Sequence, residues 1–120
     1  MCKSKTIATE NVNLYVLNQK LHEFAKSNGV SFSEKRAHLK WIMLNQEVLH
    51  FPIRIPVLAA CVLCDNGKYA VFSIMRKKYA FIPADTISSM TDVKDSFEIG
   101  KSRYIVKDTI NGFERYKRVC

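Results

Sequence analysis

Residues that interrupt regular structure are scarce in this chain, which has four glycines and three prolines among 120 residues. Because glycine and proline mark most turns and loops, their scarcity predicts short connections between elements. The sequence also contains no internal repeat and no low-complexity segment. Its length suits one domain, so we expect a single domain over residues 9–120, after a flexible basic tail at residues 1–8.

Long apolar segments are missing as well. The apolar run from Pro56 to Cys64 is far too short to cross a bilayer, and the stretch MCKSKTIATEN lacks the apolar core of a signal peptide. Position 2 is a cysteine, so the N-terminal myristoylation motif is absent. We therefore expect a cytoplasmic protein with no membrane partner and with reduced cysteines. These are Cys2, Cys61, Cys64 and Cys120.

Recognisable metal and catalytic motifs are absent too. Cys61 and Cys64 form one close pair, but a structural zinc site needs four ligands, and residues three apart on a strand point to opposite faces. We therefore interpret both as small buried residues. The three histidines, His22, His38 and His50, form no pattern with an acid and a nucleophile, and no glycine-rich phosphate loop is present. We expect no metal, no cofactor and no enzyme activity.

Positive charge is what the chain has in excess. Lysine and arginine number 19 against 11 acidic residues, which gives a formal net charge of +8 and favours an anionic partner. The first hypothesis is a small nucleic-acid-binding regulator, with duplex DNA favoured because few aromatic residues can be assigned to a basic face. The second is a non-enzymatic interaction module, inhibitor-like, antitoxin-like or immunity-like, that docks its basic face on an acidic protein. A homodimer is an open alternative in both cases.

Two helices are predicted in the N-terminal part. Asn28-Gly29 ends the first, and Ser31-x-x-Glu34 resembles a capping box that starts a second helix over residues 32–48. The second half of that helix is apolar nearly all round, which indicates burial. The first helix rests on an apolar stripe at Leu14, Leu17, Leu21, Phe24 and Ala25.

Strand patterns follow in the C-terminal part. IPVLAACVLC is a continuous apolar run typical of a buried strand, and Asn66-Gly67 and Asn111-Gly112 each predict a two-residue type I′ hairpin. These turns would place Cys64 opposite Tyr69 and Asp108 opposite Arg115. A third strand, YAFI, follows the basic turn at residues 76–78. For residues 84–100 we expect a short helix near residues 86–90 and then a strand.

The predicted fold class is therefore α+β. Two N-terminal helices would pack on a mostly antiparallel sheet of about five strands built from the two Asn-Gly hairpins.

Ala25, Gly29 and Val30 resemble the helix-turn-helix family pattern of a small residue, a turn glycine and an apolar residue. The resemblance covers about 20 residues and implies that the second helix lies in the major groove of DNA. The family has an apolar residue about six positions after the glycine, where this chain has Lys35. A plain pair of capped helices is therefore the alternative. In the helix-turn-helix interpretation, the residues facing DNA are Ser33, Arg36 and Lys40.

The C-terminal hairpin is the other candidate surface. The predicted register puts three cations and a tyrosine on one exposed face, where cations would bind phosphates and the ring would stack with bases. The alternative is a solvated face whose charges protect an edge strand from aggregation. With the basic turn added, this nucleic-acid surface comprises Arg76, Lys77, Lys78, Arg103, Lys107, Tyr116 and Arg118.

Overall fold

The computed structural model describes residues 11–48 and 51–119. Within them the protein is mostly β, with one α-helix and two antiparallel sheets. The predicted α+β class, with two helices on one sheet of about five strands, is therefore wrong. The elements are β1 (Val12–Asn13), α1 (Leu14–Ser27), β2 (His38–Leu44), β3 (Val57–Leu63), β4 (Lys68–Ser73), β5 (Tyr79–Pro83), a 3-10 turn (Ala84–Thr86), β6 (Ile87–Asp92), β7 (Ser96–Ile99), β8 (Ser102–Ile110) and β9 (Phe113–Arg118).

The chain groups into two compact units. Of the described residues, those from 17 to 92 form the five-stranded unit, with the strand order β5-β4-β3-β2-β6. Residues 11–16 and 93–119 form the four-stranded unit, with the order β1-β9-β8-β7. The two Asn-Gly turns thus belong to different sheets. The tail predicted at residues 1–8 lies outside the described residues, and the domain boundary at residue 9 stays a prediction.

The first helix is confirmed. Its N-terminus is capped by the side-chain oxygen of Asn13, which accepts hydrogen bonds from the backbone N–H groups of Tyr15 (3.0 Å) and Val16 (3.3 Å). At the other end, the N–H of Val30 donates to the carbonyl of Ala25 at 2.9 Å. This bond closes a Schellman motif that satisfies one of the helix's last carbonyls.

The prediction of a second helix is wrong, because residues 38–44 form strand β2. The segment before it lies along the end of β3, where the N–H of Ser33 donates to the carbonyl of Leu63 at 2.9 Å. The carboxylate of Glu34 accepts from the N–H of Leu63 at 2.7 Å. The Glu34 carboxylate of the apparent capping box is thus used by a distant strand, and the carbonyl of Ser31 accepts from the N–H of Asp65 at 2.9 Å. Residues 32–48 therefore form no helix that could lie in a major groove, and the helix-turn-helix interpretation is wrong.

Strand β2 looked like a buried helix because it is apolar on both of its faces. It pairs with β3 on one side and β6 on the other. Ile42 and Leu44 point to one face and are fully buried, while Leu39 is buried on the other face. An apolar run of this kind has no clear period of two, so periodicity alone does not separate it from a helix.

The continuous apolar run after Pro56 is confirmed as β3, which lies in the middle of the five-stranded sheet. Its pairing with β4 is one residue away from the predicted register, because Leu63, and not Cys64, lies opposite Tyr69. Asn66 does not have a positive φ. The connection is therefore a three-residue loop at residues 65–67 and not a type I′ turn, which needs positive φ at both central residues.

The strand predicted as YAFI is confirmed as β5. The prediction of a short helix near residues 86–90 is wrong, since residues 87–90 belong to β6 on the edge of the five-stranded sheet and Thr86 ends the 3-10 turn before it. The strand expected after it is present as β7.

The four-stranded unit keeps its predicted turn. Asn111 (φ +51°) and Gly112 (φ +81°) both have the positive φ of a type I′ hairpin, and Asp108 lies opposite Arg115 as predicted. Beyond that pair, the register shifts between Val106 and Asp108. This bulge places Tyr116 opposite Val106, so the predicted faces no longer apply farther along the hairpin.

Among residues 11–48 and 51–119, no helix is both long and apolar enough to cross a bilayer.

Candidate nucleic-acid interface

The three residues expected on a recognition helix lie on a loop and a strand instead. Ser33 is exposed, and its hydroxyl donates to the carbonyl of Leu63 at 3.1 Å. The guanidinium of Arg36 donates to the carbonyl of Ala37 at 3.2 Å. Lys40 lies on β2 and pairs with the carboxylate of Asp92 at 2.9 Å. These side chains are thus used in contacts within the five-stranded unit.

The C-terminal hairpin does not present its tyrosine. Tyr116 is only 2% exposed, and its hydroxyl donates to the carbonyl of Lys94 at 3.0 Å. Its ring lies 5.0 Å from that of Phe97, between centroids, in the core of the four-stranded unit. Arg103 and Lys107 are exposed as predicted, whereas Arg118 is half-buried. The predicted site residues of this hairpin therefore include exposed cations but no exposed aromatic ring.

The basic turn between β4 and β5 is the predicted surface that remains intact. The side chains of Arg76, Lys77 and Lys78 are all exposed. Ser73 holds the turn: its hydroxyl accepts from the N–H of Arg76 at 3.1 Å, and its carbonyl accepts from that of Lys77 at 2.8 Å. Since the backbone is fixed by these bonds, three cations are held close together at one end of the five-stranded sheet.

A cluster of rings begins at the residue after this turn. Phe24 of α1 stacks on Phe81 with centroids 4.6 Å apart, and on Tyr79 at 5.2 Å. Phe72 of β4 lies 4.8 Å from Tyr79. All four side chains are half-buried. We call this set, Phe24, Phe72, Tyr79 and Phe81, the ring cluster.

A notch of about 500 Å³ lies beside the ring cluster, between α1 and β5. Burial raises the pKa of the Tyr79 phenol, and the negative charge of Glu23 raises it further. The phenol therefore remains protonated at neutral pH. The lining residues are Lys20, Glu23, Phe24, Ser27 and Tyr79.

Sequence reasoning missed most of this site. The sequence alone places Phe24 in a helix stripe and Tyr79 in the strand YAFI, and it assigns neither of them to the site. The available signal was local, because Tyr79 and Phe81 are two apart on a strand directly after three cations, and so they share one face. The contact with Phe24 joins residues more than 50 positions apart, and no pattern in the sequence indicates it.

The cysteine pair lies in the core. Burial raises the pKa of the Cys61 thiol to about 12, and Cys61 and Cys64 are both buried and unbridged. In the described parts of the chain, no group of three or more histidine, cysteine or acidic residues is placed to hold a metal ion.

A second cavity of about 460 Å³ opens on the five-stranded unit, at the edge strand β6 and its neighbour β2. Trp41, the one tryptophan of the chain, is half-buried in its wall. No charged side chain lines it. The lining residues are Trp41, Ile42, Met43, Pro56, Ser89 and Thr91.

Comparison with protein families, with curated proteins and with solved structures finds no match to this chain.

Proposed function

We propose that this protein binds single-stranded nucleic acid through its five-stranded unit. The basic turn would bind phosphates, and the ring cluster would stack with unpaired bases. The observation that carries the proposal is the position of Tyr79, which follows the three cations directly and stacks with Phe24 of the helix. Cations and half-exposed rings therefore meet at one edge of one sheet.

The two kinds of contact have different roles. Cations contribute affinity that is independent of base sequence and decreases steeply with salt. Stacking of a base on an aromatic side chain contributes about 1–3 kcal/mol and tolerates any base, because every base has a flat face. The two together are typical of a protein that follows an unpaired strand.

Single strands are favoured over duplex DNA for two reasons. The segment predicted as the helix in the major groove contains strand β2 instead. This strand pairs with β3 on one side and with β6 on the other. The rings beside the basic turn could stack only with bases that are not already stacked in a duplex. The earlier preference for duplex DNA rested on the scarcity of rings near the cations, and the ring cluster removes that reason.

The test is a fluorescence-anisotropy titration at about 50 mM salt. Probes would be a labelled mixed-sequence single-stranded RNA and a duplex of equal length. We expect the single strand to bind more tightly than the duplex. A turn variant, Arg76→Gln with Lys77→Gln and Lys78→Gln, should lose at least tenfold in affinity for the single strand, because three phosphate contacts are removed.

The matched control is a hairpin variant with the same change in charge on the four-stranded unit, namely Arg103→Gln with Lys107→Gln and Lys117→Gln. All three residues are exposed, so folding should change little. We expect a smaller loss than in the turn variant. A larger loss of affinity in the hairpin variant would show that the phosphates bind at the C-terminal hairpin. Absence of binding to both probes would reject the proposal.

A protein partner is the second candidate function, and the cavity at Trp41 is the observation that favours it. Tryptophan is enriched among the residues that dominate binding energy at protein interfaces, and this cavity has no charged wall. An acidic segment of a partner would then contact the basic turn and place an apolar side chain in the cavity. Labelled polyglutamate that binds as tightly as RNA of equal charge, at the same salt, would favour this function.

A further inference from the structure

The notch between α1 and β5 combines an anion, a cation and a ring. Lys20, Glu23 and Phe24 lie within about one helical turn of each other and face Tyr79 across the notch. Its volume of about 500 Å³ falls in the range of small-ligand pockets, about 300–1,000 Å³.

Glu23 distinguishes this notch from an ordinary phosphate site. Among the described residues, its carboxylate has no hydrogen bond or ion pair, so its oxygens are available to a ligand. A carboxylate repels phosphate but accepts hydrogen bonds from amino groups, as acidic side chains do from the amino group of cytosine. The phosphates of a bound strand are therefore expected outside the notch, at the basic turn.

We propose that the notch takes one unpaired base that carries an exocyclic amino group, and that Glu23 selects cytosine or adenine over uracil. The base would lie against the ring of Tyr79, with its amino group donating to the carboxylate of Glu23. This inference rests on the proposed binding of single-stranded nucleic acid. It adds a preference among bases, which neither stacking nor phosphate contacts supply.

Cytosine and uracil provide the sharpest comparison. They have the same ring size and differ at position 4, where cytosine has an amino donor and uracil a carbonyl acceptor. Placed in the same way, uracil would bring that carbonyl oxygen against the carboxylate of Glu23, so two acceptors would meet, and its N3–H donor could reach Glu23 only if the base shifted in the notch. Because oligomers of equal length also carry equal phosphate charge, the electrostatic contribution to binding cancels between them.

The experiment is an anisotropy titration of labelled 12-nucleotide oligo(C), oligo(A) and oligo(U) RNA at about pH 7.5 and one salt concentration. We expect oligo(C) and oligo(A) to bind about tenfold more tightly than oligo(U), since a carboxylate that accepts from a base amino group discriminates against a base with an acceptor at that position. In Glu23→Gln the preference should disappear, chiefly because oligo(U) binds more tightly. An amide can donate to the uracil carbonyl, and it does not repel phosphate.

The matched control is Glu47→Gln, which makes the same change in charge at an exposed position away from the notch. It should raise affinity for all three oligomers slightly and leave the preference for oligo(C) unchanged. Equal binding of the three oligomers by the unchanged protein, or a preference that survives Glu23→Gln, would overturn this inference and leave the proposed function standing. If none of the oligomers binds, both fail.

Discussion

The carboxylate of Glu34 accepts a hydrogen bond from the backbone N–H of Leu63 at 2.7 Å, across 29 residues of sequence. The N–H of Ser33 donates to the carbonyl of the same residue at 2.9 Å. These bonds satisfy both backbone groups at the end of β3, and they fix the segment that leads into β2. We infer that Glu34 stabilises the five-stranded unit by a contact that is not helical.

Glu34→Ala should therefore lower the free energy of unfolding by about 1 kcal/mol, because the N–H of Leu63 loses its partner. Glu34→Gln should lower the free energy of unfolding by less, since the amide oxygen can still accept the hydrogen bond. Urea unfolding followed by Trp41 fluorescence measures both changes. If the alanine and glutamine variants were equally stable, the hydrogen bond to Leu63 would not contribute.

The sequence predicted the elements whose signals are local. Helix α1 has its own stripe and its own end signal, and Asn111-Gly112 is a type I′ turn as expected. The predicted second helix is absent because Ser31-x-x-Glu34 has the spacing of a capping box while the carboxylate of Glu34 bonds to Leu63 of β3. In such a case tertiary pairing overrides local pattern, and only the position of β3 reveals it.

The site was predicted to the same limited extent. The basic turn at residues 76–78 is exposed, as its charge indicated. Tyr116 was placed on the wrong face because one bulge, between Val106 and Asp108, shifts the register of the hairpin. A shift by one residue exchanges the two faces of a strand, and the sequence gives no sign of this bulge.

The ion pair of Asp108 and Arg115 should make the stability of the folded protein depend on pH in the acid range. The side chain of Arg115 donates two hydrogen bonds to the carboxylate, at 2.6 and 2.5 Å, and these bonds hold the pKa of Asp108 below its usual range. A group with a lowered pKa in the folded state stabilises that state above its unfolded pKa, about 3.9. The contribution is lost as the pH falls through the lower, folded value.

A double-mutant cycle of Asp108→Asn and Arg115→Gln should therefore show favourable coupling at pH 7 that decreases steadily below about pH 4. The readout is urea unfolding followed by the amide NMR signals of β8 and β9, which report on the four-stranded unit. Asp85→Asn, at an exposed position in the other unit, serves as the control for acid effects. Coupling of equal size at pH 7 and pH 3 would contradict the assignment to the charged pair.

The buried cysteines should be unreactive in the folded protein. Cys61 is 1% exposed and its pKa is raised to about 12, chiefly by burial, so almost no thiolate is present at pH 8. Burial also raises the pKa of Cys64. Iodoacetamide at pH 8, followed by mass spectrometry of peptides, should leave both unmodified until the protein is unfolded in guanidinium. Rapid modification of Cys61 in the folded protein would show that β3 is not in the core.

The salt dependence of the binding constant should distinguish phosphate contacts from base stacking at the proposed site. The logarithm of the binding constant falls with the logarithm of salt concentration by about 0.7 per phosphate contact on a single strand. Removing Arg76, Lys77 and Lys78 in the turn variant should therefore make the slope shallower by about 2. A ring contributes no counterion release, so Tyr79→Leu should lower affinity about tenfold and leave the slope unchanged.

The matched ring control is Tyr69→Leu, because Tyr69 is half-buried on β4 and its side chain lies on the opposite face of the sheet from Tyr79. It should change neither affinity nor slope while it removes a ring of the same kind. Titrations of single-stranded RNA at four salt concentrations between about 50 and 200 mM give all the slopes. A Tyr79→Leu variant that lowers the slope as much as the turn variant does would show that Tyr79 acts by positioning the cations and not by stacking.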